Sequence, residues 1–204
     1  MNQRITVPRA NTAVLCVDMQ NGMCDPRGSH VRLGLDISRL TAAIEPCRLL
    51  MDAARAAGLP VIYSRLVYAK DFSNVGTRGT EVMQRLKDAG VCPEGSWDAE
   101  IVPALAPKPG ELVIEKTRMS SFIRTPLEKE LRARCIESLV ICGVTTNMCI
   151  ESTARDAAQL DFRTFVVEDA VGEVDPARHA AALTALRWGF AHIVSLGDVI
   201  GDWR

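Results

Sequence analysis

Short runs rich in Val and Ile, each followed by a stretch of helical character, most constrain how this chain can fold. Six such runs occur, at 13–18, 61–66, 112–116, 138–144, 164–169 and 192–196. They lack polar alternation, which is typical of strands buried on both faces. Parallel strands need crossover connections, and these are usually helices. The pattern predicts an α/β fold, a three-layer α-β-α sandwich with a mostly parallel six-stranded sheet.

Helices are predicted between these runs, at 37–57, 126–134, 149–160 and 176–188. Two of them have legible start signals. Thr125 can cap the second helix, Pro126 suits its first position, and Glu128 can close a capping box. Asp175 followed by Pro176 repeats this logic for the fourth helix.

The segment 68–109 has no clear strand and contains Gly, Pro and Trp97. We expect a long excursion that forms part of a site wall, with a short helix at 80–89. The chain is 48% hydrophobic and 24% charged, which is the balance of a globular protein with one substantial core. We therefore expect residues 1–204 to form a single domain.

Charge and hydropathy exclude several classes of partner. The formal net charge is -1, and no stretch of Lys and Arg with interleaved aromatic residues occurs, so we expect neither a nucleic-acid nor a membrane partner. No apolar run is long enough to cross a bilayer, and the first residues lack the pattern of a secretory signal. These features predict a cytoplasmic protein.

The cysteines do not follow a metal-binding or disulfide pattern. There are seven, with no C-x-x-C pair and no Cys/His cluster, so we expect reduced thiols. Most are expected to be small buried hydrophobic residues. They are Cys16, Cys24, Cys47, Cys92, Cys135, Cys142 and Cys149.

Chemically distinctive residues end three of the predicted strands. Open α/β sheets bind ligands at the carboxyl ends of their strands. Asp18 ends the first run and could act as an acid or base, although a capping role is an equal alternative. Lys116 ends the third run, where a solvated lysine is the more common interpretation. Each of these residues gains significance only with a partner.

Cys149 follows the fourth run, in the sequence Gly-Val-Thr-Thr-Asn-Met-Cys. We expect it in the first turn of a helix, with Thr146 or Asn147 as the cap. The helix dipole and unpaired N–H groups there favour a thiolate and can hold a developing oxyanion. The alternative is a small packing residue.

If the sheet brings these strand ends together, the three residues form a candidate catalytic set. Asp18 would take the thiol proton, Cys149 would attack a carbonyl carbon, and Lys116 would stabilise charge and orient the carboxylate. No histidine is needed. The histidines lie away from comparable strand ends and are interpreted as surface or packing residues: His30, His179 and His192.

The motifs AVLCVDMQNGM, VIEKTRMSSF, GVTTNMC and TFVVEDAVGE resemble those of the isochorismatase-like cysteine hydrolases. This Rossmann-like family includes nicotinamidases, N-carbamoylsarcosine amidases, and ureidoacrylate and biuret hydrolases. The resemblance spans nearly the whole chain and implies a catalytic triad of Asp18, Lys116 and Cys149. It also implies a cis peptide between Val144 and Thr145. The backbone N–H groups of Thr145 and Cys149 would form the oxyanion hole.

Differences between this sequence and the motifs of particular branches of the family narrow the range of expected substrates. The region after the second run contains no Asp-x-His element, so we expect no metal and no other cofactor, which disfavours nicotinamide. The presence of Cys149 favours amide cleavage over vinyl-ether hydrolysis. The stretch before and after the third run is similar to the ureidoacrylate and biuret branch, with Met119 where that branch has an aromatic residue. Phe122 and Tyr68 could form an apolar substrate wall, or could simply pack.

The resulting prediction is an amidohydrolase that cleaves a C–N bond of a small amide, ureide or carbamoyl compound through a thioester or thiocarbamate. Isochorismatase-type ether hydrolysis and a nicotinamidase-like amidase are the alternatives within the family. A non-catalytic α/β binding module with a structural Cys149 is the alternative outside enzymes. A dinucleotide-binding protein is disfavoured because no G-x-G-x-x-G follows the first run. The resemblance implies a homodimer or homotetramer.

Overall fold

A parallel sheet with helices on both faces forms the framework of the molecule. The computed structural model describes residues 4–76 and 81–204. Its described residues form a six-stranded, entirely parallel sheet with the order β3-β2-β1-β4-β5-β6. The strands are β1 (Thr12–Val17), β2 (Val61–Leu66), β3 (Leu112–Lys116), β4 (Ser138–Val144), β5 (Arg163–Gly172) and β6 (His192–Val194). The predicted α/β fold is confirmed.

Helices connect and cover the strands. They are α1 (Asn21–Cys24), α2 (Ser29–Arg32), α3 (Ser38–Ala42), α4 (Ile44–Ala56), α5 (Glu81–Asp88), α6 (Leu127–Ala133), α7 (Glu151–Gln159), α8 (Pro176–Gly189) and α9 (Leu196–Trp203). Short 3-10 turns lie at Ser73–Val75, Trp97–Ala99 and Pro103–Leu105. No helix among the described residues is long and apolar enough to cross a membrane.

The core occupies both faces of the sheet, which explains the uninterrupted apolar runs. Along β1, Val14 and Cys16 pack into the cluster beneath α4 and α9. Leu15 and Val17 pack into the opposite cluster, beneath α6, α7 and α8. All six residues of β1 are buried, so no position in this strand is left for a solvated side chain.

The boundaries of several predicted elements needed correction. The predicted helix 37–57 is two helices, α3 and α4, separated by Ala43. The predicted start at 80 lies outside the described residues, and α5 covers most of the remainder of that segment. The fifth strand is longer than predicted and the sixth is shorter. Apart from the break at Ala43, these errors are at element ends, where local sequence preferences are weak.

The two predicted helix starts differ in outcome. Asp175 caps α8, because its carboxylate accepts hydrogen bonds from the backbone N–H groups of Ala177 and Arg178. The predicted start of α6 is displaced by one residue, since Pro126 lies at the cap position rather than the first helical position. Thr125 Oγ1 still accepts a hydrogen bond from Leu127 N at 3.3 Å.

The strand order places a natural binding site beside β1 and β4. The chain builds outward from β1 in one direction and from β4 in the other, so the connections after these two strands leave in opposite directions. The carboxyl ends of β1 and β4 therefore border a crevice. Asp18 follows β1, and the segment containing Cys149 follows β4.

Candidate active site

Asp18 lies at the point where β1 stops. Its φ of 54° is in the left-handed region, which cannot continue a strand. Its backbone N–H donates to Ser64 O on β2 at 2.8 Å, and its carbonyl accepts from Gln20 N at 2.8 Å. The residue is fully buried. The backbone on both sides of Asp18 is therefore held by hydrogen bonds at the edge of the crevice.

Gln20 is a buried residue that supports this turn and that sequence reasoning missed. Its side-chain amide donates to Leu66 O at 2.8 Å and to Ala99 O at 2.9 Å, and its Oε1 accepts from Leu66 N at 2.7 Å. One side chain thus ties the end of β1 to the end of β2 and to the turn at Trp97–Ala99. The signal in the sequence was only its position two residues after Asp18.

Gly143 permits β1 and β4 to approach closely next to the site. Its φ is +117°, and a Cβ atom at this position would lie 2.0 Å from Val17 O. Val17 is its register partner on β1. No larger residue fits without displacing one of the two strands that carry the site.

Lys116 ends β3 and reaches across the end of β2, which lies between β3 and β1. Its side chain has no solvent exposure, and Nζ lies 2.7 Å from Asp18 Oδ2. Nζ also donates to Arg118 O at 3.0 Å and to Cys149 Sγ at 3.3 Å. The ammonium group therefore contacts both of the other groups that the sequence singled out.

Cys149 lies in a π-helical turn, Thr146–Ile150, that joins β4 to α7. The turn is closed by hydrogen bonds from Met148 N and Ile150 N to Thr145 O, both 3.2 Å. The peptide bond between Val144 and Thr145 is cis, as the family resemblance implies. Cys149 itself is 5% exposed.

The predicted cap of this turn was wrong. The residue before the turn is Thr145, and no side chain caps it by a hydrogen bond. Thr146 Oγ1 instead lies 3.0 Å from His179 Nδ1, and the backbone N–H of Asn147 donates to Glu173 Oε2 at 3.4 Å. Tertiary contacts from β5 and α8 therefore replace the local capping that the sequence predicted.

Burial reverses the predicted state of the thiol. Burial, together with the negative charge of Asp18, raises the pKa of Cys149 to about 12, although Lys116 opposes this shift. The expected activation by a helix N-terminus does not dominate here. Cys149 is therefore a thiol at neutral pH, and its chemistry depends on a base that removes the proton.

The two partners of Cys149 have shifted pKa values as well. Burial raises the pKa of Asp18, and the neighbouring Lys116 limits that rise. Burial alone would lower the pKa of Lys116, but the interactions of its ammonium group with Asp18 and Cys149 outweigh this effect, and the pKa is raised. The resting site thus combines a carboxylate with raised basicity, an ammonium group and a protonated thiol.

A cavity of about 300 Å³ opens onto Cys149. Its wall is mainly apolar. Thr145, which was predicted to contribute a backbone N–H group to the oxyanion hole, also lines it. Among the described residues, the other polar or charged side chains in the wall are those of His30, Arg85, Asn147, Glu173 and Arg178. This volume is at the small end of the range for small-molecule sites. The predicted role of 68–109 as a site wall agrees with the structure, because Arg85, Leu86 and Val91 line the cavity.

The two aromatic residues proposed as a substrate wall do not line this cavity in the described structure. Phe122 is buried in the core, with its ring 5.9 Å from that of Phe162. Tyr68 is fully buried and packs against Phe72 at 5.9 Å. Met119 does line the cavity, and its Sδ lies 3.7 Å from Cys149 Sγ. The residue at the position expected to be aromatic is therefore the one beside Cys149.

The predicted surface or packing role was incomplete for one histidine. His30, on α2, is 8% exposed and lines the cavity. Burial lowers its pKa to about 4, although Asp98 opposes the shift, so the imidazole is neutral at neutral pH. His192 packs against Phe165 at 5.2 Å, as predicted. Among the described residues, no cluster of three or more His, Cys, Asp or Glu side chains could hold a metal ion.

All seven cysteines carry free thiols, and Cys149 differs from the others in its contacts. Cys135 is exposed, and the remaining six are buried. Cys149 is the one that both lines the cavity and contacts Lys116. The structure therefore brings Asp18 and Cys149 into contact with Lys116, and Cys149 lines the cavity.

Comparisons with known proteins agree with this geometry. The model of the isochorismatase domain matches residues 12–198. The ureidoacrylate amidohydrolase RutB of Azorhizobium caulinodans is 39% identical over 183 residues, which cover 84% of this chain and 81% of that protein. RutB of Agrobacterium fabrum is 38% identical, with 84% and 80% covered.

Solved structures show the same likeness. A cysteine hydrolase from Pseudomonas syringae pv. phaseolicola superposes with a TM-score of 0.86 at 27% identity, covering 100% of this chain and 98% of that chain. An N-carbamoylsarcosine amidase from Thermoplasma acidophilum superposes with a TM-score of 0.71 at 26% identity, covering 91% and 96%. The resemblance that the sequence motifs predict is confirmed. The chain belongs to the isochorismatase family.

Proposed function

We propose that this chain is a cysteine-dependent amidohydrolase that cleaves a C–N bond of a small ureide, carbamoyl compound or amide. The observation that carries the proposal is the contact of Lys116 Nζ with both Asp18 Oδ2, at 2.7 Å, and Cys149 Sγ, at 3.3 Å, beside a small cavity. Such a buried set supplies a base, a nucleophile and a fixed positive charge.

In the first half-reaction, Asp18 accepts the Cys149 proton as Sγ attacks the carbonyl carbon of the substrate. The backbone N–H groups of Thr145 and Cys149 stabilise the oxyanion that forms. The proton held by Asp18 passes to the leaving nitrogen, and the C–N bond breaks. Ammonia or an amine departs, which leaves a thioester or a thiocarbamate on Cys149.

In the second half-reaction, Asp18 takes a proton from a water molecule that attacks the same carbonyl carbon. The C–S bond breaks, the thiol is restored, and a carboxylic acid or a carbamic acid is released. A carbamic acid then loses CO2. Throughout the cycle, Lys116 keeps the carboxylate oriented and balances its charge, so the two protonation states of Asp18 are both accessible in a buried site.

The class of substrate is supported by the relatives and by the cavity. Two relatives at 38–39% identity are named ureidoacrylate amidohydrolases, and a structural neighbour is named an N-carbamoylsarcosine amidase. Both names describe a carbamoyl group on a small molecule. The cavity of about 300 Å³ suits a substrate of that size.

Ammonia release tests the proposal. The wild-type protein and Cys149→Ala would be compared under metal-free conditions. The panel of substrates consists of biuret, 3-ureidoacrylate, N-carbamoyl amino acids and simple amides. We expect turnover of at least one carbamoyl compound by the wild type and none by the variant. Full activity of Cys149→Ala would overturn the mechanism. If the wild type releases no ammonia from any compound of the panel, the proposed substrate class is overturned, and an untested substrate, ether hydrolysis or a binding role are the alternatives.

We also propose that copies of the chain associate as a homodimer or homotetramer. The family resemblance supports this, and so does Trp188 on α8, whose 93% exposure leaves a large apolar ring in water. The neighbouring face of α8 carries Ala181, Thr184 and Ala185, which are small enough to allow close approach.

A further inference from the structure

Among the described residues, the charges around the cavity balance in pairs, with one exception. Asp18 and Lys116 neutralise each other at 2.7 Å. Glu173, which is 2% exposed at its side chain, pairs with Arg178 at 3.1 Å between Oε1 and Nη2. Arg85 is left, and the described part of the chain places no second acidic residue in the cavity wall. The described wall therefore carries one positive charge in excess.

His30 does not change this balance. Its imidazole is neutral at neutral pH, because burial lowers its pKa to about 4. The rest of the wall near Arg85 is apolar and includes Leu33, Leu86 and Val91. Arg85 itself is exposed, so its guanidinium is accessible to a ligand that enters the cavity.

The guanidinium of Arg85 is held at the wall by a backbone contact. Nη2 donates to Leu33 O at 3.3 Å, and both residues line the cavity. A guanidinium has five N–H donors arranged in a planar fork that matches a carboxylate. The contact with Leu33 uses one donor and leaves the others available to a ligand.

We propose that Arg85 is a specificity-determining residue that binds a carboxylate carried by the substrate. The enzyme would then select ureido or carbamoyl acids over neutral ureas of the same shape. This inference rests on the proposed function, because it concerns the part of the substrate that lies away from Cys149. The apolar residues of the described cavity wall would accommodate a short hydrocarbon spacer.

The recognition can be measured without turnover. Cys149→Ala protein would be titrated by calorimetry with 3-ureidopropionate and with N-propylurea, which has a methyl group in place of the carboxylate. Hydrogen bonds to charged groups are worth about 1.5–3 kcal/mol, or about 10–150-fold in affinity. We expect 3-ureidopropionate to bind at least about tenfold more tightly than N-propylurea.

Variants on α5 assign that difference to one side chain. Arg85→Gln in the Cys149→Ala background should remove the preference for the acid and change the affinity for N-propylurea less than about twofold. Arg85→Lys should keep part of the preference, since the charge remains but the fork is lost. Lys87→Gln is the matched control on the same helix, outside the described cavity wall, and should leave both affinities unchanged.

Several outcomes would overturn the inference. Equal binding of the two compounds, equal losses for both in Arg85→Gln, or no binding of either would each contradict it. A failure of the proposed function looks different, because it would appear as ammonia release that persists in Cys149→Ala, or as no ammonia release by the wild type from any compound of the panel. Calorimetry therefore tests the role of Arg85, and ammonia release tests the proposed function, so either one can be contradicted without the other.

Discussion

The chemistry of Cys149 is determined by what surrounds the thiol. The position of Cys149 in a helical turn favours a thiolate. Burial and the charge of Asp18 nevertheless raise the pKa of the thiol to about 12. Burial has the larger effect on the pKa because the thiol is removed from water. Sequence spacing identified Asp18, Lys116 and Cys149 as a set, since strand ends meet at one edge of a parallel sheet. Spacing could not show burial, and therefore could not predict the protonation state.

The three groups should behave as a unit in mutants. Asp18→Asn removes the base, and Lys116→Ala leaves a buried carboxylate without its partner. A general base contributes about 10²–10⁴-fold, so we expect losses of at least that order in kcat/KM for each variant. The double variant should lose little more than either single variant. Additive losses, measured with the same substrate by steady-state kinetics, would show that the groups act separately.

The acid limb of the pH profile should report Asp18. The carboxylate must be ionised to accept a proton, and burial raises its pKa above the usual 3.8. Activity should therefore fall as the pH falls through a value higher than that of an ordinary aspartate, and be retained above it. The measurement is kcat/KM against pH. His30→Gln is the control, because His30 lines the cavity and also titrates in the acid range, with a pKa of about 4, and its removal should leave the position of the limb unchanged if Asp18 sets it.

Residues that reach the cavity from loops and short helices were not identified as a site. His30, Arg85 and Glu173 lie far apart in the chain, and none ends a predicted strand on the site's edge. Their roles follow from tertiary folding of α2, α5 and the end of β5. Nor could the sequence show that Phe122 and Tyr68 pack in the core, because an aromatic residue near a site has the same pattern in either role.

At the scale of elements, long apolar runs were informative and turns were not. The six strands follow from runs buried on both faces, and the cap of α8 follows from Asp175. The π-helical turn at Thr146–Ile150 has no such signature. Its form depends on the contacts of Thr146 with His179 and of Asn147 with Glu173, which join residues about thirty positions apart.

Gly143 should be the least replaceable glycine near the site. A Cβ there would lie 2.0 Å from Val17 O, in a conformation with φ +117°. We expect Gly143→Ala to destabilise the fold by about 3 kcal/mol or more, from the clash and the backbone conformation together. Urea unfolding measures the change. Gly189→Ala is the control, since no atom lies within 4 Å of its Cβ position, and a loss there as large as that at Gly143 would contradict this account.

At the scale of the whole molecule, topology determines where the site forms. The strand order β3-β2-β1-β4-β5-β6 puts the reversal of direction between β1 and β4. The long excursion between β2 and β3 then supplies a wall of the cavity through α5. The sheet could be predicted from the sequence because each run signals its own burial. The shape of the cavity could not, since it depends on how segments distant in the chain pack.

The proposed assembly of copies should depend on α8. Trp188→Glu places a charge on an apolar face and should shift the protein toward the monomer, as measured by light scattering after size-exclusion chromatography. Arg187→Glu changes the adjacent residue and tests whether charge alone is responsible. If the Trp188→Glu protein has the same molar mass as a wild-type oligomer, the interface lies elsewhere.

The central claim is that Cys149 carries the acyl group of the substrate between two half-reactions. Hydroxylamine partitioning tests it most directly, with the best ureido substrate and an analogue methylated on the departing nitrogen. The two compounds release ammonia and methylamine but leave the same group on Cys149. The account predicts the same ratio of hydroxyurea to hydrolysis product from both. Different ratios would contradict a shared covalent intermediate.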